Sequence, residues 1–523
     1  MTKDRTTDGA ATDGAATDGT AGADPAGATW PAGSHLTDAD AATTWDLLVV
    51  GGGTAGLTGA QSAALLGARV LLVERDRTGG ECLWSGCVPS KALLAAASAA
   101  ADARRAHRLG VRAEVEVDFP VVMAHVRAAV TAIQPVDAPQ ALEAAGVRTV
   151  RGTVTFTGPA TATVDGREVR FAQALLATGS RPAPLDLPGA DGVAALTADD
   201  VWDLAELPGR LAVLGGGTTG TELAQGFARL GAHVTVVEAG AHLLPAEDAD
   251  AAAVVTAALR ADGVDVRTGV RATSVRPGED GAGALVLDDG AQVPFDRLLL
   301  AGPRRPLVDG LGLVEAGVRR VDGRLVLDGL RTTNPRVWAA GDVTGEDLYT
   351  HTAGVRGSDA AINAVLGLPR RPGAVVPRVT FTDPELAAVG EPTGTLANGT
   401  PRAGTARTGR RLLELRHDHV DRAVAEGRSE GFTRLVVDRR NRVRGATVVG
   451  PRAGEVLAEL TAAVLDGTTT SALVARTHPY PTYGDGPWNA AIADYRGRLG
   501  TPAVRAVTRT VVAARRWVRS RKA

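Results

Sequence analysis

The chain has 523 residues, 44% hydrophobic and 22% charged, so it is too long for one globular domain and too apolar to be mainly disordered. Its 57 basic and 59 acidic residues give a formal net charge of -2, which argues against a dedicated nucleic-acid binder. No run approaches the roughly 18 uninterrupted apolar residues of a membrane helix, and the N-terminus lacks an apolar signal core. We therefore expect a soluble, cytoplasmic protein of about three to four domains.

The N-terminal segment differs in composition from the rest of the chain. Residues 1–43 are polar and rich in Gly and Ala, and a short unit repeats between Thr7 and Thr20. Such a composition buries too little apolar surface to fold. We predict a disordered tail over residues 1–43.

The first structured unit begins abruptly at Asp46. An apolar run of the buried-strand type is followed by a Gly-rich turn, an Ala- and Leu-rich helix and a second apolar run. This order is typical of a βαβ unit that binds a dinucleotide, with glycines for the turn, the approach of a pyrophosphate and helix packing. The residues in these roles are Gly51, Gly53 and Gly56, and the closing Glu74 is placed to accept from a ribose hydroxyl.

The same unit returns 164 residues later. Aligning the second copy on the first gives 14 identities over the 24 positions from Gly51 to Glu74. Its corresponding residues are Gly215, Gly217, Gly220 and Glu238. A single glycine-rich turn is weak evidence, but two copies in the same strand and helix context predict two dinucleotide sites.

The two cysteines of the chain, Cys82 and Cys87, lie five residues apart, just after the first unit and at the predicted start of a helix. Such a pair can close a disulfide, and helix-terminal amides lower the pKa of a thiol. Lys91 follows closely and is the one lysine inside the body of the chain. A metal clip is the alternative, but no histidine has ligand spacing to the pair. We predict a redox dithiol and no resident metal.

The last part of the chain has a different pattern. After residue 374, short strands and a helical segment occur without another Gly-rich turn, which predicts a third, α+β domain. Beyond Thr501 the chain is basic, contains no acid and has the spacing of an amphipathic helix. We favour a solvated terminal helix over contact with an anionic lipid surface or a partner, and we predict no membrane contact.

These features together resemble the FAD-dependent pyridine nucleotide-disulfide oxidoreductases, the family of dihydrolipoamide dehydrogenase, glutathione reductase and mercuric reductase. The resemblance extends from about Asp46 to about Tyr495 and includes further motifs at 177–179, 339–343 and 381–385. It implies an α/β fold with two Rossmann-like domains and a C-terminal α+β dimerisation domain in a homodimer. The implied bounds are 44–196 and 319–374 for FAD binding, 197–318 for NAD(P) binding, 375–498 for dimerisation and 499–523 for a basic tail.

The resemblance also assigns roles to single residues. Cys87 would lie beside the flavin as the charge-transfer thiolate, and Cys82 would face the substrate as the interchange thiol. Lys91 would lie near the flavin and pair with Glu222. Glu238 favours NADH over NADPH, because a 2′-phosphate would meet its carboxylate. The resemblance places FAD on the first Gly-rich unit with Glu74, on Lys91 and on Thr178, Gly179, Gly341 and Asp342.

The chain departs from the family pattern near its C-terminus. Tyr480 takes the place of the family's catalytic His, Asp485 takes the place of its Glu, and His478 stands two residues early. Pro303 replaces a Gly and alters a local turn. The ordinary pKa values of Tyr and His are about 10 and about 6.5, so a phenol does not serve as a base at neutral pH. Mercuric reductases resemble this chain in having Tyr there, but they also use a C-terminal cysteine pair that this chain lacks.

The predicted activity is electron transfer from NAD(P)H through FAD and a Cys82–Cys87 disulfide to a small molecule or a metal ion. The preferred interpretation is a mercuric reductase-like enzyme. A dihydrolipoamide dehydrogenase or another disulfide reductase, with His478 as a substitute base, is the alternative. An NADH- and FAD-binding redox sensor with little turnover is an alternative of another class.

Overall fold

The computed structural model describes residues 30–31, 33–368, 373, 375–394 and 409–521. Most of the predicted disordered tail lies outside these residues. Its last part is ordered, contrary to the prediction. Thr37 and Asp40 form a capping box at the start of helix α1 (Asp38–Ala42), and Asp40 lies 2.9 Å from Arg148 in an ion pair. Order therefore begins several residues before Asp46, because a local cap and a distant arginine hold a segment that looks featureless in sequence.

The elements fall into three domains, the first of which is interrupted by the second. The first part of the first domain contains β1 (Thr44–Val50), α2 (Thr54–Leu65), β2 (Val70–Glu74), α3 (Gly80–Trp84), α4 (Cys87–Arg105), α5 (Phe119–Asp137), α6 (Pro139–Ala144), β3 (Val147–Arg151), β4 (Val154–Gly158), β5 (Thr161–Val164), β6 (Arg167–Leu176) and β7 (Ser180–Pro182). The second domain contains β8 (Leu196–Thr197), β9 (Arg210–Leu214), α7 (Thr218–Leu230), β10 (His233–Glu238), α8 (Ala249–Ala261), β11 (Asp265–Thr268), β12 (Ala272–Pro277), β13 (Gly283–Leu287), β14 (Gln292–Phe295) and β15 (Arg297–Leu300).

The chain then returns to the first domain and continues into the C-terminal domain. The returning segment contains β16 (Arg304–Pro306), β17 (Arg320–Val321), β18 (Arg324–Leu325), β19 (Leu327–Asp328), β20 (Arg331–Thr332), β21 (Val337–Ala339) and α9 (Thr350–Leu366). The C-terminal domain contains β22 (Arg378–Thr380), β23 (Glu385–Gly390), β24 (Arg411–Arg416), α10 (Asp421–Ala425), β25 (Phe432–Val437), β26 (Val443–Gly450), α11 (Ala453–Leu465), α12 (Thr470–Val474) and α13 (Asp485–Leu499), and helix α14 (Pro502–Ser520) follows it. Short 3-10 helices occupy Ala106–Leu109, Ala190–Gly192, Val201–Asp203, Asp342–Thr344 and His417–His419.

The first domain is built around strand β1. This strand pairs in parallel with β2 on one side and β6 on the other. Leu48 packs into the core on one face of the sheet, and Leu47 and Val49 pack into the core on the other face. Because both faces are covered, the strand is apolar along its length and does not alternate with polar residues.

The second domain repeats this arrangement. Its parallel sheet has the order β11-β10-β9-β15-β8, with β9 in the middle. Leu211 and Val213 of β9 face one core, and Ala212 faces another. The C-terminal domain is an antiparallel sheet of order β22-β23-β26-β25-β24 with helices packed on it. The predicted fold of two Rossmann-like domains and a C-terminal α+β domain is confirmed.

The junction between the first two domains differs from the prediction. Strand β16 pairs with β7 of the first domain. Val308, Leu313 and Val318 then pack into the same core as Phe156 of the first domain. The predicted end of the insertion at residue 318 is therefore too late, and the chain returns at about residue 303. The apolar spacing of this segment does not reveal which of two adjacent cores it joins.

One helical stretch, Phe119–Ala144, is long and apolar enough to cross a membrane by length and composition alone. Its residues Phe119, Met123 and Val126 are buried in the core that also contains Phe227 of α7. Phe119 and Phe227 pack with ring centroids 6.2 Å apart. One side of this stretch therefore packs in the protein core.

Candidate active site

The two cysteines are brought together by a tight turn between α3 and α4. Cys82 lies within α3, and Cys87 is the first residue of α4. The backbone N–H of Gly86 donates to the carbonyl of Glu81 at 2.6 Å. A Cβ at Gly86 would lie 3.0 Å from that carbonyl oxygen, so a larger residue would crowd the turn. Both thiols are free in this structure and are joined by a side-chain hydrogen bond.

This hydrogen bond makes the two thiols differ in acidity. The Cys82 thiol donates to Cys87 and so lowers the pKa of Cys87 to about 6, with help from the Thr350 hydroxyl and the charge of Lys91, although burial opposes the shift. The Cys87 sulfur and the Thr350 hydroxyl oxygen are 3.2 Å apart. The same hydrogen bond, together with burial, raises the pKa of Cys82. At neutral pH the pair therefore consists of a Cys87 thiolate and a protonated Cys82.

Lys91 and Glu222 form an ion pair beside the thiols. The Nζ atom of Lys91 lies 2.6 Å from Oε2 of Glu222, whose side chain is only 4% exposed. The other carboxylate oxygen accepts from the backbone N–H of Phe381 at 2.8 Å. The ammonium lies 4.4 Å from the centroid of the Phe381 ring. The predicted partners are thus in contact, and residues from all three domains meet at this point.

The first Gly-rich turn has the shape of a phosphate cradle. Gly51 adopts a φ of +108, and a Cβ there would lie 2.4 Å from the carbonyl oxygen of Ala177. A Cβ at Gly56 would lie 1.9 Å from the carbonyl oxygen of Gly51, so the helix approaches the strand as closely as glycine permits. Gly53 caps α2 and leaves the helix N-terminus free of a side chain. These features fit the pyrophosphate of FAD.

The acidic residues at the ends of the two units are held in the same way. Glu74 accepts from the backbone N–H groups of Gly52 at 2.7 Å and Asp76 at 2.8 Å. Glu238 accepts from the backbone N–H groups of Gly216 at 2.6 Å and Gly240 at 2.5 Å. Each carboxylate is thereby fixed at the end of its strand, where a nucleotide ribose is expected.

The second turn repeats the first in detail. Gly215 has a φ of +113, and a Cβ at Gly220 would lie 2.0 Å from the Gly215 carbonyl oxygen. A Cβ at Gly217 would meet no heavy atom within 4 Å, so space is open in front of α7. A helix N-terminus that faces open space suits a second pyrophosphate.

The motif residues Thr178, Gly179, Gly341 and Asp342 lie in the first domain, beside the junction where the chain returns from the second domain. The Thr178 hydroxyl donates to the carbonyl of Leu307 at 2.6 Å, and Gly179 accepts from the N–H of the same residue at 3.0 Å. Gly341 adopts a φ of +77. Asp342 accepts from the Ser180 hydroxyl at 2.7 Å.

A polar chain that the sequence interpretation missed links this junction to the cysteines. The guanidinium of Arg304 donates to the Ser180 hydroxyl at 2.8 Å and forms an ion pair with Glu81 at 2.6 Å. Burial raises the pKa of Glu81 to about 7, against the opposing charge of Arg304. Glu81 precedes Cys82, and Arg304 follows the unusual Pro303. Their positions next to Cys82 and Pro303 are a hint of a role, but nothing in the sequence indicates that Glu81 and Arg304 pair.

The C-terminal residues have partners within their own domain. The Tyr480 side chain is exposed, and its hydroxyl donates to Asp421 at 2.6 Å, which raises the pKa of Tyr480 further. Asp485 is buried at the start of α13. His478 lies with Nε2 2.9 Å from a carboxylate oxygen of Glu459. The hydrogen bonds that the structure gives for these three side chains join them to this domain and not to the cysteines of the same subunit.

Two family models match the chain. The model described as "Pyridine nucleotide-disulphide oxidoreductase" covers residues 45–365. The model of the dimerisation domain of the same proteins covers residues 376–491. Together they cover the three domains described above.

Similar proteins include two kinds of reductase. The chain is 37% identical over 460 residues to a mercuric reductase from Streptomyces lividans, covering 85% of this chain and 95% of that protein. It is 36% identical over 468 residues to a dihydrolipoyl dehydrogenase from Thermus scotoductus, covering 86% of this chain and 97% of that protein. Among solved structures, LpdA from Mycobacterium tuberculosis matches with a TM-score of 0.77 and 30% identity, covering 86% of this chain and 99% of that one. The two identities are too close to separate the substrate classes.

Proposed function

Because this chain belongs to the pyridine nucleotide-disulphide oxidoreductases, which use FAD and NAD(P)H, we propose that it is an NADH-dependent reductase of a thiolate-binding metal ion such as Hg²⁺. The ion is the substrate in this proposal and is reached through Cys82 and Cys87. Bound FAD would supply the two-electron relay between NADH and the cysteine disulfide. The Gly-rich cradles and the two fixed carboxylates support the binding of both cofactors.

In this proposal the two thiols have different tasks. Cys87 is the thiolate at neutral pH, since its pKa is lowered to about 6 mainly by the hydrogen bond from Cys82. Cys82 carries the proton and gives it up when a soft metal ion is bound between the two sulfurs. Lys91, held by Glu222, keeps a positive charge beside the site and supports the thiolate.

The observation that carries the proposal is the position of His478. Its Nε2 lies 2.9 Å from Glu459, and its ring packs against Trp488 with centroids 5.5 Å apart. A histidine held in this way is poorly placed to substitute for the base that the family pattern expects at residue 480. The chain offers the Tyr480 phenol there, with its pKa raised by Asp421.

The lack of a base at residue 480 has different consequences for the two substrate classes, disulfides and metal ions. Reduction of a disulfide consumes NADH and one proton and gives two thiols, so a leaving thiolate must be protonated. Reduction of Hg²⁺ by NADH gives Hg⁰, NAD⁺ and one proton. When the ion arrives as a bis-thiolate complex, the proton of Cys82 goes to one displaced thiolate, the other thiolate leaves into water, and the proton from NADH restores the Cys82 thiol, so no imidazole is needed. A site with a phenol in place of an imidazole therefore suits the metal ion better.

Glu238 supports NADH as the electron donor. Its carboxylate is fixed by two backbone N–H groups at the edge of the second domain. On the neighbouring strand the register partner of Glu238 is Thr268, and the adjacent Arg267 is 2.9 Å from Asp265 in an ion pair. That strand therefore supplies no unpaired guanidinium to bind the 2′-phosphate of NADPH.

The dimerisation domain supports a homodimer. We propose that Tyr480 and Asp485 complete the site of the other subunit, as the family pattern implies. The exposure of Tyr480 is consistent with this, because 69% of the residue surface is open to a partner. The buried Oδ1 atom of Asp485 has no hydrogen-bond partner among the described residues.

The similarity to dihydrolipoyl dehydrogenases makes disulfide reduction the second candidate. The two are separated by steady-state oxidation of NADH by the purified dimer. Hg²⁺ is presented as its complex with excess small thiol, and lipoamide and oxidised glutathione are compared with it. The proposal expects turnover with Hg²⁺ and little with either disulfide. Turnover with lipoamide alone would establish the second candidate, and negligible turnover with every acceptor would favour a redox sensor.

A further inference from the structure

The last helix of the chain stands apart from the catalytic domains. Helix α14 spans Pro502–Ser520, and none of its residues is buried. It lies beyond residue 491, where the match to the dimerisation domain ends. A helix of 19 residues with no buried residue gains little stability from tertiary contacts in this subunit, although its first turns touch α13. We therefore expect the helix to pack against a surface outside this subunit.

One side of α14 is apolar. Val504, Val507, Val511 and Val518 recur at helical spacing along one stripe, and Trp517 lies at its edge. Val507 is 65% exposed and Trp517 is 56% exposed. Such a stripe is normally buried against another element, and here the subunit does not bury it.

The opposite side is basic. The arginines at this helix are Arg505, Arg509, Arg515, Arg516 and Arg519, and no acidic residue follows Thr501. The whole chain has a net charge of -2, so the remainder of the chain is net acidic. The positive charge is thus concentrated on one exposed helix, flanking the apolar stripe.

We propose that α14 lies in the headgroup region of an anionic phospholipid bilayer and holds the enzyme at the membrane surface. An apolar stripe with a valine and tryptophan face and an arginine-rich flank is the pattern of an interfacial helix. The arginines would contact lipid phosphates while the valines enter the acyl boundary. The exposed helix agrees with the solvated helix expected from sequence, and the proposal adds a lipid surface that would cover its stripe.

The charge of the helix argues against a second copy as its partner. Two α14 helices packed along their stripes would bring rows of arginines together without any acid to neutralise them. A homodimer, however, carries two such helices. If both reach the same bilayer, the second binds with a high effective concentration, so weak single-helix binding becomes firm attachment.

The test is flotation of the full-chain holoenzyme with phosphatidylcholine vesicles, either pure or containing about a third phosphatidylglycerol. We expect binding to the anionic vesicles and about a hundredfold weaker binding to the neutral ones. Raising the salt concentration should weaken the binding, since the charges are screened. Bound enzyme should also show a blue-shifted tryptophan emission that Trp517→Phe removes.

Two variants test the two sides of the helix separately. Val507→Ser combined with Val511→Ser removes part of the stripe, and Arg505→Gln combined with Arg509→Gln removes part of the charge. Each should reduce flotation about tenfold or more, with NADH oxidation unchanged. Val314→Ser and Arg112→Gln, at exposed sites elsewhere, are the matched controls.

Three outcomes would overturn the proposal. The first is no flotation with anionic vesicles, the second is equal binding to neutral and anionic vesicles, and the third is binding that neither helix variant reduces. Stable capture of an acidic protein through α14, without vesicle binding, would instead identify a protein partner. None of these results depends on which acceptor the enzyme reduces.

Discussion

The ammonium of Lys91 lies 2.6 Å from the carboxylate of Glu222, although 131 positions separate the two residues. The lysine comes from the helix that begins with Cys87, and the glutamate comes from the helix of the second Gly-rich unit. The backbone of Phe381 in the C-terminal domain also donates to this carboxylate. The pair therefore joins the helix that begins with Cys87 to both other domains. It also places the positive charge of Lys91, balanced by Glu222, beside the Cys87 thiolate.

Removing either partner of this pair should move the pKa of Cys87 in opposite directions. The charge of Lys91 lowers that pKa and the charge of Glu222 raises it. Lys91→Met should therefore raise the pKa of Cys87 above about 6, and Glu222→Gln should lower it. The measurement is a pH titration of the thiolate absorbance in the two-electron-reduced enzyme. Lys91→Arg is the control that keeps the charge, and shifts of both variants in the same direction would refute this electrostatic account.

The two thiols should differ in their spectroscopic signatures. The purified protein should be yellow, and two-electron reduction should produce a long-wavelength band for which the Cys87 thiolate is the donor. The band should persist above pH 6 and disappear below it, since the pKa of Cys87 is about 6. Cys87→Ser should retain the yellow cofactor and lose the band. Cys82→Ser should be yellow and show the band without added reductant, because it cannot form the disulfide and its Cys87 thiolate faces oxidised FAD. The reverse result would exchange the two proposed roles.

Glu238→Arg should change the electron donor. The parent enzyme should have the higher kcat/KM with NADH, and the variant should shift the ratio towards NADPH by roughly tenfold or more, because arginine pairs with a 2′-phosphate. Glu279→Arg, on an exposed turn of the same domain, is the matched control. Equal use of NADH and NADPH by the parent enzyme would contradict the proposal.

His417 should make stability depend on pH. The residue is 1% exposed, and burial lowers its pKa from 6.5 to about 4. The unfolded chain therefore binds a proton more readily between these values, so stability is fully present above pH 6.5 and falls as the pH drops towards 4. The loss is on the order of 3 kcal/mol at most.

The check is the thermal midpoint of unfolding between pH 4.5 and pH 7. His417→Asn should be less stable than the parent at neutral pH but should lose less of its stability on acidification. His419→Asn, on an exposed side chain two residues away, is the control and should behave like the parent. An unchanged pH dependence in His417→Asn would show that this residue does not titrate as described.

The Gly-rich units were predictable because their signal is local. The turn, the helix and the closing acid lie within one short stretch. In both copies the structure holds the closing carboxylate, Glu74 or Glu238, on the backbone N–H of the second glycine of the turn. The contact of Lys91 with Glu222 was predictable only through the family resemblance. Because 131 positions separate Lys91 from Glu222, no periodicity in the sequence relates the two residues.

Other features were not accessible from the sequence. The chain of contacts from Glu81 through Arg304 and Ser180 to Asp342 joins four distant segments. The pairing of His478 with Glu459 likewise depends on how two elements of the C-terminal domain pack. Common polar residues carry no mark of such partners until the fold is known.

The assignment of a metal-ion acceptor is tested most directly by the variants Tyr480→Phe and His478→Ala, each assayed with thiol-complexed Hg²⁺ and with lipoamide. Tyr495→Phe and His419→Ala, in exposed positions, are the matched controls. The proposal predicts that the parent enzyme reduces Hg²⁺, that Tyr480→Phe slows this reaction, and that His478→Ala leaves it nearly unchanged. Strong lipoamide turnover by the parent enzyme that is lost in His478→Ala would contradict it, because His478 would then be the working base of a disulfide reductase.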